Sequence, residues 1–286
     1  MVTPRFAWNR KQCKKNRDDF VEIKVACHNC AGFGKDAAVA EDTLQYYSSL
    51  NYDAVALPET HEDHHAYVSR RVVGSAPRTG ADTSHTGVAI LLSERFASRE
   101  IGRSNPKDLP TSRICWVRIK GKVCNLLIIA VYFPYKQHLV PLDRVLQHLR
   151  DVLDNARPHD CIILIGDYNC QLTRNTPGVT GKWCVATRTC SHGKQVTQLL
   201  RRYNLYVAST RFKPKRNASA ATWIQNKRAK ASSSMGPGNR GISRGRKYLR
   251  GPHKGKSKLV EARCRLQLDY IAISHRWLSC ISRCRV

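Results

Sequence analysis

Acidic residues are scarce in this chain: 21 Asp and Glu stand against 49 Lys and Arg over 286 residues, a formal net charge of +28. Such an imbalance repels itself in a compact state and attracts polyanions. DNA or another nucleic acid is the first partner it suggests, and an anionic membrane surface the second. Long apolar runs are missing too. None approaches the ~20 residues that cross a bilayer, so no membrane span is expected. The opening MVTPRFAWNRKQCKKNRDDF is basic but has no apolar core of the kind a secretory signal carries, so the protein is not expected to be secreted. Of twelve cysteines, Cys115, Cys124 and Cys161 sit inside apolar runs, where a thiol behaves as a small hydrophobe. A reduced, intracellular protein, with the nucleus as a candidate compartment, is the simpler expectation. Internal repeats are absent, and nothing points to an obligate protein partner.

What the chain does have is apolar content, 42% of residues, enough for a globular core. Residues 1–20 form a basic leader without pattern. EIKVACHNCAG then reads as a strand ending in a turn, EDTLQYYSSL as a helix, and YDAVALPETH and TGVAILLS as strands. RICWVRIKGKVCNLLIIAVYFPY reads as a hairpin turning at Gly121-Lys122. PLDRVLQHLRDVLDNA is the clearest helix, with Leu142, Val145, Leu146, Leu149, Val152 and Leu153 on one face. It leads into the strand CIILIGDYNC, and HGKQVTQLLRRYNL makes another helix. YVAST, ATWI and RLQLDYIAIS are further strands. Residues 225–262 are rich in Gly, Ser, Lys and Arg, with no acid from Gln225 to Val260, and read as a flexible basic insert. Hairpins interleaved with a few helices predict an α/β (α+β) fold of two packed mixed sheets flanked by helices.

The strands share a habit of ending on polar residues. Asn29, Glu59, Tyr132, Asp167, Asn169 and Asp269 stand at the margins of apolar runs, and Thr222 and Trp223 in a later one. A buried carboxylate is costly unless paired, hydrogen-bonded or metal-bound. If these margins converge, they line a cleft suited to Mg²⁺-assisted phosphodiester hydrolysis, because Mg²⁺ (or Mn²⁺) takes one or two carboxylates and keeps its waters. Glu59 is then the metal ligand, Asp167 the group that orients or deprotonates water, Asn169 its neighbour at the phosphate. Tyr132 and Asn29 donate to phosphate oxygens or support the metal. In the insert, Arg244, Arg246, Lys247 and Arg250 are expected to tether nucleic acid through its phosphates.

VACHNCAG, ALPETH, TGVAILLS, AVYFPY, LIGDYNC, ATWI and LDYIAIS occur in an order that resembles the endonuclease/exonuclease/phosphatase (DNase I-like, apurinic endonuclease-like) family. The chain looks most similar to non-LTR retrotransposon endonucleases and craniofacial development protein 2-like proteins, over roughly residues 21–286. The resemblance implies a four-layer α/β sandwich and a divalent-metal DNA endonuclease. It assigns metal binding to Glu59, phosphate or metal support to Asn29 and Tyr132, and catalysis to Asp167 and Asn169. Thr222 matches a position near the phosphate, and Asp269 one that supports a catalytic histidine. The family's Asp-His motif, beyond LDYIAIS and one further strand, has no match; His275 stands too early. A C-terminally truncated or degenerate domain is therefore expected, and a missing acid–base group typically costs ~10²–10⁴ in rate. The alternatives are a catalytically dead nucleic-acid-binding remnant of the same fold, or a phosphatase or lipid phosphodiesterase.

Other patterns are read as incidental. His61-Glu62-Asp63-His64-His65 satisfies HExxH but follows a strand and Pro58, where a zinc protease needs a helix. Cys27-His28-Asn29-Cys30 is a single CxxC without a second pair.

Overall fold

A computed structural model describes residues 3–6, 22–29, 32, 42, 45–61, 71–75, 86–135, 141–213, 223–227 and 262–285. Fourteen strands are named in chain order. They are β1 (Thr3–Phe6), β2 (Ile23–Cys27), β3 (Ala54–Pro58), β4 (Val72–Gly74), β5 (Val88–Leu92), β6 (Glu100–Arg103) and β7 (Ile114–Ile119). Then follow β8 (Asn125–Tyr132), β9 (Asp160–Asp167), β10 (Leu205–Val207), β11 (Trp223–Lys227), β12 (Ala262–Leu266), β13 (Asp269–Ser274) and β14 (Ile281–Arg285). The helices are α1 (residues 45–49), α2 (Glu94–Ala97), α3 (Leu142–Asp154) and α4 (Ser191–Arg202).

Twelve strands make two six-stranded sheets, in the orders β14-β1-β2-β3-β5-β4 and β10-β13-β9-β8-β7-β6. Each sheet is mixed: β2 runs parallel to β3, and β8 parallel to β9, while the other pairs are antiparallel. The expected hairpin is β7–β8, six residue pairs in register from Ile114↔Val131 to Ile119↔Leu126. Gly121 is required at its turn, since a Cβ there would lie 1.9 Å from the Cys124 carbonyl oxygen.

Side chains alternate faces along a strand, and this sorts the apolar residues into layers. Val25, Ala56 and Ile90 of the first sheet meet Val117, Ile128, Ile163 and Ile271 of the second in a core between the sheets. Leu127, Ile129, Val131 and Leu164 point the other way, onto Val145, Leu146, Leu149 and Leu153 of α3 and Val196, Leu199 and Leu200 of α4. The outer face of the first sheet, Ala26, Val55, Leu57 and Leu91, is covered by Tyr47 of α1. Helix, sheet, sheet and helix make four layers, as expected.

Two assignments change. Thr3–Phe6, inside the stretch read as a patternless leader, is a strand lying between β2 and β14. Gln225–Lys227 and Ala262, read as ends of the insert, belong to the separate β11–β12 hairpin. Among the described residues no helix is long and apolar enough to cross a membrane.

Candidate active site

Tyr132, Asp167 and Asp269 are cross-strand neighbours: Tyr132 faces Asp167 across the β8–β9 ladder and Asp269 faces Asp167 across β9–β13. Each continues the alternation that points Ala130, Ile165 and Ile271 into the space between the sheets. At this end of the sandwich the apolar filling stops and polar side chains replace it. From the first sheet, Asn29 lies just past β2 and Glu59 just past β3.

These groups engage one another. Asn29 Nδ2 donates to Asp167 Oδ2 at 3.3 Å, and the backbone N–H of Asn169 donates to Asp167 Oδ1 at 2.8 Å. The second bond spans two residues, so the Asx turn that is the bland account of this pair is present. It serves the site as well, because it fixes the carboxylate. The Tyr132 hydroxyl is hydrogen-bonded to Glu59. Asn169 Nδ2 donates to the Phe133 carbonyl at 2.9 Å, so this amide also braces the strand ends.

Asp167 is only 5% exposed. Burial drives its carboxyl well above the usual carboxylate range; Asp269 and Glu59 push the same way, while the bonds from Asn169 and Asn29 oppose them. Burial and the neighbouring Glu59 raise the Tyr132 phenol, which therefore stays protonated and keeps its proton to donate.

Backbone geometry supports the cluster. Glu59, at φ 58°, and Asn169, at φ 45°, both lie in the left-handed region, uncommon for residues with a side chain and frequent at functional sites. At Gly166 a Cβ would fall 1.8 Å from the Val131 carbonyl oxygen, so only glycine lets β9 pass β8 immediately before Asp167.

Six of the expected site residues, Asn29, Glu59, Tyr132, Asp167, Asn169 and Asp269, thus gather at one edge of the sandwich. Trp223 does not join them as a residue of either large sheet: it opens β11, paired with Leu266, and the chain runs from there through Leu268 to Asp269. Thr222, Arg244, Arg246, Lys247 and Arg250 lie outside the described residues, as do Glu62–His65 of the HExxH pattern and Cys30 of the CxxC pattern. His61, at φ 60°, is not helical. Its Nε2 lies 3.9 Å from Glu59 Oε2.

One site residue escaped sequence reasoning. Arg113 is 1% exposed, and its guanidinium lies 5.1 Å from the centre of the Tyr132 ring. It stands at the margin of the apolar run ICWVRI, the same signal that marked the other polar residues.

Among the described residues no three His, Cys, Asp or Glu groups gather closely enough to cage a metal ion. The donors nonetheless suit a hard cation that keeps its waters: a carboxylate at Glu59, an amide at Asn29, and enough mutual repulsion among Glu59, Asp167 and Asp269 for a cation to relieve.

Two mixed sheets face to face between helices, with a polar cleft at one edge, define the DNase I-like sandwich shared by endonuclease/exonuclease/phosphatase structures. The 3′-5′ exonuclease NExo from Neisseria meningitidis superposes over 90% of this chain and 89% of its own, with TM-score 0.51 at 17% identity. The endonuclease domain of TRAS1, a telomere-specific non-LTR retrotransposon, aligns over 89% of this chain and 86% of its own, with TM-score 0.49 at 14% identity. In sequence, craniofacial development protein 2 of Bos taurus is 27% identical over 129 residues, 44% of this chain. The matched stretch spans 21% of that relative's length. No family profile matches the chain.

Proposed function

We propose that this chain is a Mg²⁺-dependent (or Mn²⁺-dependent) phosphodiesterase of the endonuclease/exonuclease/phosphatase superfamily acting on DNA. The observation that carries the reading is the convergence of Tyr132, Asp167 and Asp269 on three adjacent strands against Asn29 and Glu59 of the opposing sheet. The sequence resemblance to retrotransposon endonucleases and the +28 charge point to the same substrate class.

Glu59, with Asn29 beside it, would hold the cation, which when bound polarises a phosphate oxygen and neutralises charge developing there. Asp167 is the proton acceptor: burial and its acidic neighbours raise its affinity for the proton that an attacking water would give up. Asn169 and Asn29 fix the two oxygens of that carboxyl, so its orientation costs nothing at the moment of reaction. Asp269 keeps the proton affinity high. Tyr132, protonated and braced over Arg113, donates a hydrogen bond at the cleft wall.

A second reading, a nucleic-acid binder of the same fold without catalysis, draws on the lack of a three-residue metal cage among the described residues. Incubating purified protein with supercoiled plasmid and Mg²⁺ separates the two. The nuclease reading expects nicking that falls by ~10² or more in Asp167→Asn and Glu59→Ala. A wild-type chain no better than these variants, yet still binding plasmid, would establish the binder. Cleavage of an inositol phosphate or a sphingolipid in place of plasmid would redirect the substrate class.

A further inference from the structure

Two exposed features flank the acids of the cleft, one on each side. On the β8 side the chain leaves Tyr132 through buried Phe133, whose N–H donates to the Asp167 carbonyl at 3.0 Å. Two residues later it reaches Tyr135, 53% exposed. Four large apolar side chains stand exposed among the described residues: Tyr46, Ile101, Val123 and Tyr135. Tyr46 belongs to α1, Ile101 to the edge strand β6, and Val123 to the hairpin turn at the other end of β8. Tyr135 is the one that follows a strand ending at the cleft.

On the other side lies Trp183, in the loop between β9 and α4. Its N–H donates to the Thr210 carbonyl, just past β10, at 3.1 Å. The N–H of Val185 donates at 3.4 Å to the side chain of Gln267, two residues before Asp269. The Lys182 and Lys213 ammoniums lie 5.4 and 5.7 Å from the centre of the Trp183 ring. Both lysines are exposed, and the chain carries no Asp or Glu from Tyr168 to Val260. Two like charges thus share one ring with no acid in the loop to offset them, and an anion seated between them relieves the repulsion. The loop is tied down and so presents them ready-placed. Thr173 bridges Ala186, Arg174 Nε donates to the Cys184 carbonyl at 2.9 Å, and the Gly181 N–H donates to Thr210 Oγ1 at 2.7 Å.

We propose that these two features seat an unpaired strand of DNA across the cleft, with a base stacked on Tyr135 and backbone phosphates held by Lys182 and Lys213. β8, β9, β13 and β10 lie side by side, so the strands that carry the two flanks are roughly 14 Å apart, at ~4.8 Å per step. That is about four nucleotides at the ~3.4 Å rise of a stacked strand, and fewer when the strand is extended. A run of this length passes over Asp167 and Asp269. The phenol ring decides for the unpaired form: stacking needs an open base face, and bases inside a duplex are covered by their neighbours. Protein sites for single strands combine such a ring with a basic track, and the combination reads no sequence, since every base has a face. The inference rests on the reading of this cleft as a DNA site, and stands apart from whether the site cleaves.

The experiment measures fluorescence anisotropy of a labelled thymidylate twelve-mer, and of a duplex of equal length, with the full chain in EDTA, where nothing is cleaved. Tyr135→Ala is expected to weaken the single strand roughly 10-fold while duplex affinity holds within ~2-fold, and Tyr135→Phe to keep both. The duplex measurement also reports that the variant is folded, since Tyr135 is exposed and its loss opens no cavity. Replacing Lys182 and Lys213 together by alanine is expected to lower the slope of log affinity against log salt by about 1.4 on the single strand, the share of two phosphates. Single-strand affinity that ignores Tyr135→Ala, a loss just as large on the duplex, or an unchanged salt slope would overturn the proposal. Plasmid nicking alongside any of these results keeps the nuclease reading, and Tyr135-dependent binding without nicking keeps this one.

Discussion

His148 shows what burial does to a single residue. It faces away from the cleft on α3, is 4% exposed, and its Nδ1 lies 3.1 Å from the Thr111 hydroxyl. Burial lowers its pKa from 6.5 to about 4, against a weaker pull upward from Asp151. The unfolded imidazole takes up a proton near pH 6.5; the folded one does not until about pH 4. Above pH 6.5 both states are neutral and stability is complete; it is lost as pH falls from 6.5 towards 4. The loss attributable to this residue is roughly 3 kcal/mol at the acid end, from 1.4 kcal/mol per unit. Urea unfolding at pH 7 and pH 5 should show a smaller acid loss in His148→Gln than in the wild-type chain. Asp167 is the opposite case at this scale. Its place on a strand end was legible because an acid terminating an apolar run needs a reason. Arg113 carried the same mark but was overlooked, since its partner, the Tyr132 ring, comes from a neighbouring strand that no local pattern identifies.

At the scale of elements, the β8–β9 crossing sets the cleft. The two strands run parallel for eight residue pairs, from Asn125↔Asp160 to Tyr132↔Asp167. At Gly166 the crossing leaves no room for a side chain: a methyl group there meets the Val131 carbonyl. Gly166→Ala must push the strands apart or twist Asp167 from its bonds to Asn29 and Asn169. It should cost about 1–3 kcal/mol in chemical denaturation. Plasmid nicking should fall well beyond what the unfolded fraction explains. The long strands and helices α3 and α4 were legible because each carries its own period, two or 3.6, over enough residues to stand out. β1 was not: four residues of mixed polarity become a strand only through β2 and β14, and β14 lies some 280 positions away in sequence. The β11–β12 hairpin was half legible. Its first strand was read, but Gln225–Lys227 share their composition with the basic stretch that follows.

For the whole molecule, charge governs how it meets its partner. A net +28 over 286 residues makes any DNA contact mainly an affair of released counterions. Affinity for duplex DNA, measured by fluorescence anisotropy between about 50 and 200 mM salt, should drop by ~10³ or more if six or more phosphates are engaged. A flat salt response would remove DNA as the partner. Composition made this property legible at once. The meeting of the polar strand ends was harder to foresee, since it depends on the order β13-β9-β8 in one sheet and on the facing of the two sheets. That same layout binds synthesis to assembly. Thr3–Phe6 leave the ribosome some 280 residues ahead of their partner Ile281–Arg285. The nascent polypeptide must therefore hold one flank of a sheet open until that partner emerges, and that flank is where a chaperone would find it.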